Sequence, residues 1–431
     1  MAGKCGYLTV PENRADPKGR NIDIYVVIMP AIDPAKPAEP VFFIAGGPGS
    51  STVHDWAEAP LVFAGMNDHH DIVLVDQRGT GSSHPLVLPP LNPGESPTDY
   101  KARALAEIDG DPRYYTTAVA MDDLDAVRQA LHYDKIDLYG GSYGATAVQY
   151  YLRQHGDRVH AAVMDGGTLV EVPIFELFAP NSQRALDAVL GRCLADTTCA
   201  SAYPEVRAEF ASVMSGLSRR PVATTIMDPS GEPIVVTSDV FAVTIHQLLV
   251  GSESGKIPWL IHQASSGNLT AVAVELSRYL GGGATTLVMS LEILCSEGWA
   301  RNDPEQVKVK GEGSYLLSSQ IAFAEMYAGA CRDAPPGYVR ADDAQPVRTN
   351  VPVLILNGSD DPQDPPANVA AAAQEMPNSL LVIAPGQGHT VGHIACLPIV
   401  VTTFFDQGKA RAMAAANACT ATMAPPAFVL G

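Results

Sequence analysis

Short apolar runs that end at turn residues recur along the chain, and this pattern predicts β-strands. The runs cover residues 22–29, 41–45, 72–76, 135–139, 159–165, 351–357 and 380–384. Between them, apolar residues at helical spacing predict helices over 118–131, 145–154 and 368–375. Strands that alternate with helices are typical of a mostly parallel sheet with helices on both faces, so the predicted fold class is α/β.

The alternation of short strands and helices changes in the middle of the chain. Helical patterns at 181–194 and 238–250 are longer there, and a turn at 228–231 separates two β-prone segments. The Pro-rich and polar stretch at 333–346 is typical of a linker that returns to the sheet. We therefore expect an α/β core at 1–169, a mainly helical inserted cap at 170–349, and the rest of the core at 350–431.

The chain is acidic, because 28 Lys and Arg residues stand against 47 Asp and Glu residues and give a formal net charge of -19 over 431 residues. That balance argues against a nucleic-acid partner, since phosphate backbones are bound by cationic surfaces. The apolar fraction of 46% indicates a globular chain with a sizeable core. No stretch approaches the ~20 consecutive apolar residues of a membrane span, so we expect none.

Seven cysteines make an odd number, yet six of them form couples that are close in sequence: Cys193 with Cys199, Cys295 with Cys331, and Cys396 with Cys419. As disulfides, the two longer couples would each stabilise the fold by about 3 to 4 kcal/mol on a chain-entropy estimate. Buried thiols of a cytosolic protein explain the same spacing. No Cys-x-x-Cys pair or His-rich cluster indicates zinc, and we expect neither a metal nor a cofactor.

The first residues show neither a charged segment followed by an apolar one nor a small-residue cleavage site. We expect either a cytosolic protein or an exported one whose leader has been removed. The pattern makes no prediction about the oligomeric state.

The strongest local motif is Gly140-Gly141-Ser142-Tyr143-Gly144, which lies directly after a predicted strand and before a predicted helix. This context is typical of a nucleophile elbow, in which a tight turn exposes the central hydroxyl and small residues are needed on both sides. A Gly-x-Ser-x-Gly sequence also occurs by accident in a chain with 37 glycines. The flanking strand and helix favour the elbow, so Ser142 is the predicted nucleophile.

A serine hydroxyl needs a base to take its proton, and the order in this motif class is serine, acid, histidine. Of the eleven histidines, only His389 and His393 follow the last predicted strand, and His389 is reached through the Gly-rich loop 385–388. We predict His389 as the base. Structural or surface roles are expected for the other histidines: His54, His69, His70, His84, His132, His155, His160, His246, His262 and His393.

The predicted strand at 351–357 is followed by three carboxylates, and one of them should orient His389. We choose Asp361 over Asp360. Asp364 precedes two prolines at positions suited to the first turn of a helix, so we expect it to cap the helix that follows.

Attack on a carbonyl creates an oxyanion that needs preorganised N–H donors. The backbone N–H of Tyr143 is one predicted donor, since it follows the nucleophile at the start of a helix. Gly47, in the loop 46–49 after a predicted strand, is the second. A plain Gly-Pro turn is the alternative interpretation of that loop.

Together these segments resemble the α/β-hydrolase fold and, more narrowly, the prolyl and tripeptidyl aminopeptidase family of serine peptidases. The resemblance runs through nearly the whole chain, in segments 5–11, 46–49, 76–82, 123–124, 140–144, 165–166, 295–297, 358–365 and 396–419 and at Arg128. It implies a triad of Ser142, Asp361 and His389 and an exported protein with the three cysteine couples oxidised. The chain departs from the family at Ala45, where histidine is usual, and lacks a cysteine after 81–86, which leaves Cys5 without an evident partner.

The resemblance also bears on the substrate, because an aminopeptidase must recognise a free α-ammonium group and a carboxylate is the natural partner. Glu297 is the predicted anchor, with Glu171, Glu176 and Glu292 as weaker candidates; a solvated surface charge is the alternative for each. We expect a serine aminopeptidase that acts on peptides. A carboxylesterase or lactonase that acts on small esters, or a binding protein that has kept the fold, are the alternatives.

Overall fold

The computed structural model describes residues 3–33, 38–58, 65–90, 92, 94, 99, 103–104, 106–280, 287–298, 302–332 and 336–431. Ten strands lie within these residues: β1 Lys4–Pro11, β2 Asn21–Met29, β3 Val41–Ile44, β4 Ile72–Val75, β5 Ile136–Gly141, β6 Val159–Asp165, β7 Val222–Met227, β8 Pro233–Val236, β9 Val353–Gly358 and β10 Ser379–Ala384. All the predicted strands are present. The first strand was not predicted, because its glycine and polar residues interrupt the apolar pattern.

Eight of these strands form one sheet in the order β1-β2-β4-β3-β5-β6-β9-β10. The pairs β1 with β2 and β2 with β4 are antiparallel, and every later pair is parallel. The carboxyl ends of β3, β5, β6, β9 and β10 therefore meet at one edge. In open α/β sheets, this is the edge at which ligands bind.

Fifteen helices lie within the described residues: α1 Thr52–Glu58, α2 Thr117–Ala130, α3 Tyr143–His155, α4 Phe178–Ala195, α5 Thr197–Ala202, α6 Val206–Arg219, α7 Ser238–Val250, α8 Ile257–Ser265, α9 Leu269–Leu280, α10 Leu287–Ile293, α11 Pro304–Gly311, α12 Leu317–Arg332, α13 Ala372–Glu375, α14 Leu397–Gln407 and α15 Lys409–Thr422. The predicted helix at 368–375 is wrong as a single element. Only a short 3₁₀ turn, Pro366–Val369, and the four residues of α13 are helical there.

Successive side chains of the central strands point to opposite faces of the sheet. Helices cover both faces, so both sets of side chains are buried. Phe42 and Ile44 pack with α2 and α3 on one face of the sheet. Val41 and Leu74 pack with α14 and α15 on the other. Helices on both faces of a mostly parallel sheet confirm the predicted α/β fold class.

A second hydrophobic core lies within the segment that was predicted as a cap. Buried residues of α4, α6, α7, α8 and α9 form it, with the antiparallel hairpin β7–β8 alongside. The start of the predicted return linker, 333–335, lies outside the described residues. The boundaries of the inserted segment stay a prediction.

Three disulfides join the couples that the sequence analysis singled out: Cys193–Cys199, Cys295–Cys331 and Cys396–Cys419. Cys5 is exposed and free. In the part of the chain that the structure describes, no helix combines the length and the apolar character that crossing a membrane would require.

Candidate active site

Ser142 lies at a sharp turn between β5 and α3. Its φ of 56° and ψ of -124° fall in a region that residues with a side chain rarely adopt, and its N–H donates to the carbonyl oxygen of Asp165 at 2.8 Å. A Cβ on Gly140 would overlap Gly144, and a Cβ on Gly144 would overlap the carbonyl of Ile44. The turn therefore needs glycine on both sides of Ser142.

Asp361 lies in the loop after β9 and is fully buried. One of its carboxylate oxygens accepts the N–H groups of Gln363 at 2.8 Å and Asp364 at 2.9 Å. The other oxygen accepts from Nδ1 of His389 at 2.8 Å. The carboxylate thereby fixes the imidazole ring and keeps a proton on Nδ1, which leaves the lone pair on Nε2.

His389 lies in the loop after β10 and is buried. Its N–H donates to the carbonyl oxygen of Val250, the last residue of α7, at 3.1 Å. A Cβ on Gly166 would lie 3.1 Å from Nδ1 of the ring, and Gly166 follows the Asp165 whose carbonyl holds Ser142. The imidazole and the elbow thus share one edge of the sheet. Nε2 is buried and has no hydrogen-bond partner among the described residues, Ser142 included.

The expectation that Asp364 caps a helix is wrong. The helical turn after it has no side-chain cap, whereas Oδ2 of Asp364 lies 3.5 Å from Nδ1 of His389. Its Oδ1 accepts a hydrogen bond from the hydroxyl of Thr168. A second carboxylate therefore lies beside the imidazole, because the tight turn at Asp361 directs the side chain three residues later toward the same ring.

Burial and the neighbouring carboxylates shift the pKa of His389 in opposite directions. Burial disfavours the imidazolium of His389, but the charge and hydrogen bond of Asp361, together with the charge of Asp364, raise its pKa to about 9. Burial raises the pKa of Asp364 to about 7; the imidazolium and the Thr168 hydroxyl lower it, and the charge of Asp361 adds to the rise. The two groups therefore influence each other's protonation.

Ser142 lies on the wall of a cavity of about 300 Å³. Gly47, Tyr143, Glu297 and Asp364 line the same cavity. Asp361 and His389 are buried outside this lining. Four aromatic side chains also line the cavity: Phe175, Phe178, Phe323 and Tyr327.

The loop that carries Gly47 is fixed by a buried carboxylate. Asp76, at the end of β4, accepts hydrogen bonds from the hydroxyl of Ser51 at 2.8 Å and from the N–H of Val53 at 3.1 Å. Gly47 itself has a φ of 109°, which favours glycine. The motif at 76–82 that the resemblance singled out thus holds the predicted oxyanion loop in place.

Glu297 is buried in a π-helical turn, Leu294–Gly298, between α10 and α11. One of its oxygens accepts the N–H of Thr117 at 2.6 Å, and the hydroxyls of Thr117 and Tyr143 are 2.8 Å apart. Burial is the main cause that raises the pKa of Tyr143 far above its ordinary value, and the charge of Glu297 adds to this rise. The glutamate is therefore a buried carboxylate on the cavity wall.

The other candidate glutamates lie elsewhere. Glu176 pairs with Lys310 at 2.5 Å, and Glu292 accepts from the hydroxyl of Ser296 at 2.7 Å. Glu176, Glu292 and Glu171 are all outside the lining of the cavity, so none of them replaces Glu297 as a candidate anchor.

Sequence reasoning missed a contact between α4 and the loop that carries Asp361. The guanidinium of Arg184 donates to the carbonyl oxygens of Ser359 and Asp361, each at 2.8 Å. Arg192, two turns later, pairs with Asp360. Only the fold brings these groups together, because Arg184 precedes the loop by more than 170 residues.

Comparison with known proteins gives a family match and several partial relatives. A family model described as alpha/beta hydrolase fold matches residues 39–393. The chain is 28% identical over 189 residues to serine protease Hip1 of Mycobacterium tuberculosis, across 38% of this chain and 35% of that protein.

Two aminopeptidases show comparable similarity. Tripeptidyl aminopeptidase of Streptomyces lividans is 27% identical over 188 residues, which cover 38% of this chain and 35% of the relative. Proline iminopeptidase of Neisseria gonorrhoeae is 32% identical over 128 residues, which cover 30% and 32%. The chain thus spans about a third of the length of each of these relatives.

Proposed function

We propose that this chain, which belongs to the α/β hydrolase fold family, is a serine hydrolase that works through an acyl-enzyme. The observation that carries the proposal is the 2.8 Å hydrogen bond from His389 to Asp361 at the sheet edge that also holds the Ser142 turn. A nucleophile, a base and an orienting acid are the three parts that this chemistry needs.

In the proposed reaction, Oγ of Ser142 attacks the carbonyl carbon of the scissile bond while Nε2 of His389 takes the hydroxyl proton. The N–H groups of Gly47 and Tyr143 stabilise the charge on the carbonyl oxygen. The imidazolium, stabilised by Asp361, then gives its proton to the leaving amine. A water molecule, deprotonated by the same imidazole, hydrolyses the acyl ester and restores the serine hydroxyl.

We propose further that the enzyme is an aminopeptidase of the prolyl or tripeptidyl type. Glu297 supports this class, because a buried carboxylate on the cavity wall can pair with the α-ammonium group of a peptide. The aromatic side chains that line the same cavity suit an apolar substrate side chain. The partial similarity to proteins named proline iminopeptidase and tripeptidyl aminopeptidase is consistent with it.

A carboxylesterase or lactonase is the second candidate, and the largely apolar lining of the cavity favours it. The same catalytic parts cleave esters more easily than amides, and the fold does not determine the substrate. We expect turnover of proline, alanine or tripeptide anilides as well as of short acyl p-nitrophenyl esters. Ester turnover without any anilide cleavage would exclude the peptidase.

The role of Glu297 is tested by Glu297→Gln in the same assays. We expect KM for anilides with a free amino group to rise at least about tenfold, which is about 1.4 kcal/mol of lost binding, while KM for esters changes little. Glu292→Gln is the matched control, because this carboxylate is buried nearby but lies outside the cavity lining. Equal effects on both substrate classes would argue against an ammonium anchor.

We propose that the protein is exported to an oxidising compartment. Three disulfides support this, since such bonds are rare in the cytosol. Titration of unreduced, unfolded protein from its natural source with a thiol reagent should find one free thiol per chain, that of Cys5. Seven reactive thiols would contradict export.

A further inference from the structure

Two carboxylates face the same imidazole nitrogen, and they are held in different ways. Asp361 accepts two backbone N–H groups in addition to Nδ1 of His389. Asp364 is held by the hydroxyl of Thr168, with Oδ2 at 3.5 Å from the same Nδ1. Asn368 donates to that hydroxyl oxygen at 2.8 Å, which leaves the hydroxyl proton to point at Asp364.

The carboxylate of Asp364 lies next to His389, and Asp364 also lines the cavity. It is buried, and it lines the cavity together with Ser142, Thr168 and Gln363. No backbone N–H donates to its side chain among the described contacts. Its charge is therefore supported mainly by one hydroxyl and by the imidazolium itself.

We infer that Asp364 is a positioning residue that acts through His389 and sets the proton affinity of the imidazole. This inference rests on the proposed function, in which His389 is the base. An ionised Asp364 favours the imidazolium, because an opposite charge within about 4 Å stabilises the charged form of the ring. A protonated Asp364 is neutral and no longer gives this stabilisation. The carboxylate thus determines the pH above which the imidazole is free to accept the serine proton.

Charged and titratable groups other than Asp364 also lie around the ring of His389. Asp361 contacts the ring directly, and Asp165 accepts N–H groups of Val391 and Gly392 in the loop after His389. His246 on α7 is buried, which lowers its pKa to about 4 and keeps it neutral. Arg184 on α4 donates to the backbone of the Asp361 loop. Asp364 itself has a pKa of about 7, which lies within the working pH range.

The direct test is the titration of the His389 ring by NMR in protein with labelled histidines, with the signal assigned from its loss in His389→Gln. We expect the pKa of His389 to fall by about one unit or more in Asp364→Asn, because one negative charge beside the ring is lost. The rate of serine labelling by a fluorophosphonate should then reach half of its maximum at a correspondingly lower pH. Asp360→Asn is the matched control and should move neither midpoint, since Asp360 pairs with Arg192.

A second variant keeps the carboxylate and guards against a folding defect. Thr168→Val removes the hydroxyl that stabilises the charged form of Asp364, so it should move both midpoints in the same direction by a smaller amount. Unchanged midpoints in folded Asp364→Asn and Thr168→Val would overturn the inference. A shifted ring titration without any fluorophosphonate labelling of the wild type would instead overturn the proposed function and leave the inference about the imidazole intact.

Discussion

At the scale of single residues, the proposed role of His389 as the base predicts how activity depends on pH. Burial alone would lower the pKa of this ring, but two carboxylates raise it from 6.5 to about 9. The base must be neutral to accept the proton of Ser142. We therefore expect kcat/KM of the wild type to rise with pH until about pH 9, measured with a substrate from the proposed panel in buffers of constant ionic strength.

This expected profile differs from that of an ordinary histidine. An unperturbed imidazole would give a plateau above its ordinary pKa of 6.5. A plateau that begins at that pH would contradict the charge balance described for the cluster, whichever substrate class the enzyme prefers.

Gly144 makes a second prediction at this scale, because its missing side chain allows α3 to approach β3. A Cβ at this position would overlap the carbonyl oxygen of Ile44, which is backbone and cannot move aside. We expect Gly144→Ala to lower the free energy of unfolding by at least about 3 kcal/mol, at the upper end of the cost of overpacking. Urea denaturation monitored by circular dichroism measures this.

Gly156, at the other end of the same helix, is the matched control. It has a φ of -61°, and an added Cβ there meets nothing within 4 Å. Gly156→Ala should leave stability unchanged or raise it by up to about 1 kcal/mol, because the unfolded chain loses freedom. Equal losses in the two variants would mean that the steric account of the elbow is wrong.

At the scale of elements, α4 contacts the loop that carries Asp361, the proposed orienting acid. Two hydrogen bonds of 2.8 Å from Arg184 end on the backbone of this loop, one of them on Asp361 itself. We expect Arg184→Ala to lower kcat about tenfold or more with little change in KM, because small displacements of catalytic groups are costly. Steady-state kinetics on the best substrate of the panel provide the measurement.

The control for this variant is an arginine with an exposed partner. Arg207 on α6 pairs with Asp187 at 2.9 Å at the surface, where such pairs contribute about 1 kcal/mol or less. Arg207→Ala should keep the kcat of the wild type. A large change in KM alone for Arg184→Ala would indicate a role in substrate binding rather than in orienting the acid loop.

At the scale of elements, the strands that carry the site could be predicted from the sequence, but the contacts between distant segments could not. The strands around Ser142 and Asp361 were predictable, because apolar runs, glycines and their order are local signals. The place of Asp364 was not, because its partner Thr168 is 196 residues away and local spacing suggested a helix cap. The contact of Arg184 was missed for the same reason, since only the packing of a helix against the sheet edge creates it.

At the scale of the whole molecule, two parts of the chain build the candidate site. The sheet contributes the elbow and the loops with Asp361 and His389, and the helical segment after β6 contributes most of the cavity wall. We therefore expect the cavity wall that this segment forms to select the substrate, whereas Arg184 of the same segment supports the Asp361 loop. A change confined to that wall should alter KM while the reactivity of Ser142 is kept.

The disulfide Cys295–Cys331 allows a test of this division. It joins the turn that carries Glu297 to the end of α12, whose Phe323 and Tyr327 also line the cavity. The bond closes a loop of 36 residues, so its loss should cost about 4 kcal/mol on a chain-entropy estimate. The wall of the cavity should loosen before the sheet does.

We expect the double variant Cys295→Ser with Cys331→Ser to raise KM for anilides several-fold at temperatures where the protein stays folded, with an unchanged rate of fluorophosphonate labelling at Ser142. The pair Cys193–Cys199 is the control, because it closes a loop of only six residues at the junction of α4 and α5 and neither cysteine lines the cavity. Equal losses of labelling and of binding in the Cys295 and Cys331 variant would show that this part of the cavity wall also supports the proposed catalytic residues. A wall that only selects substrates would leave the serine equally reactive.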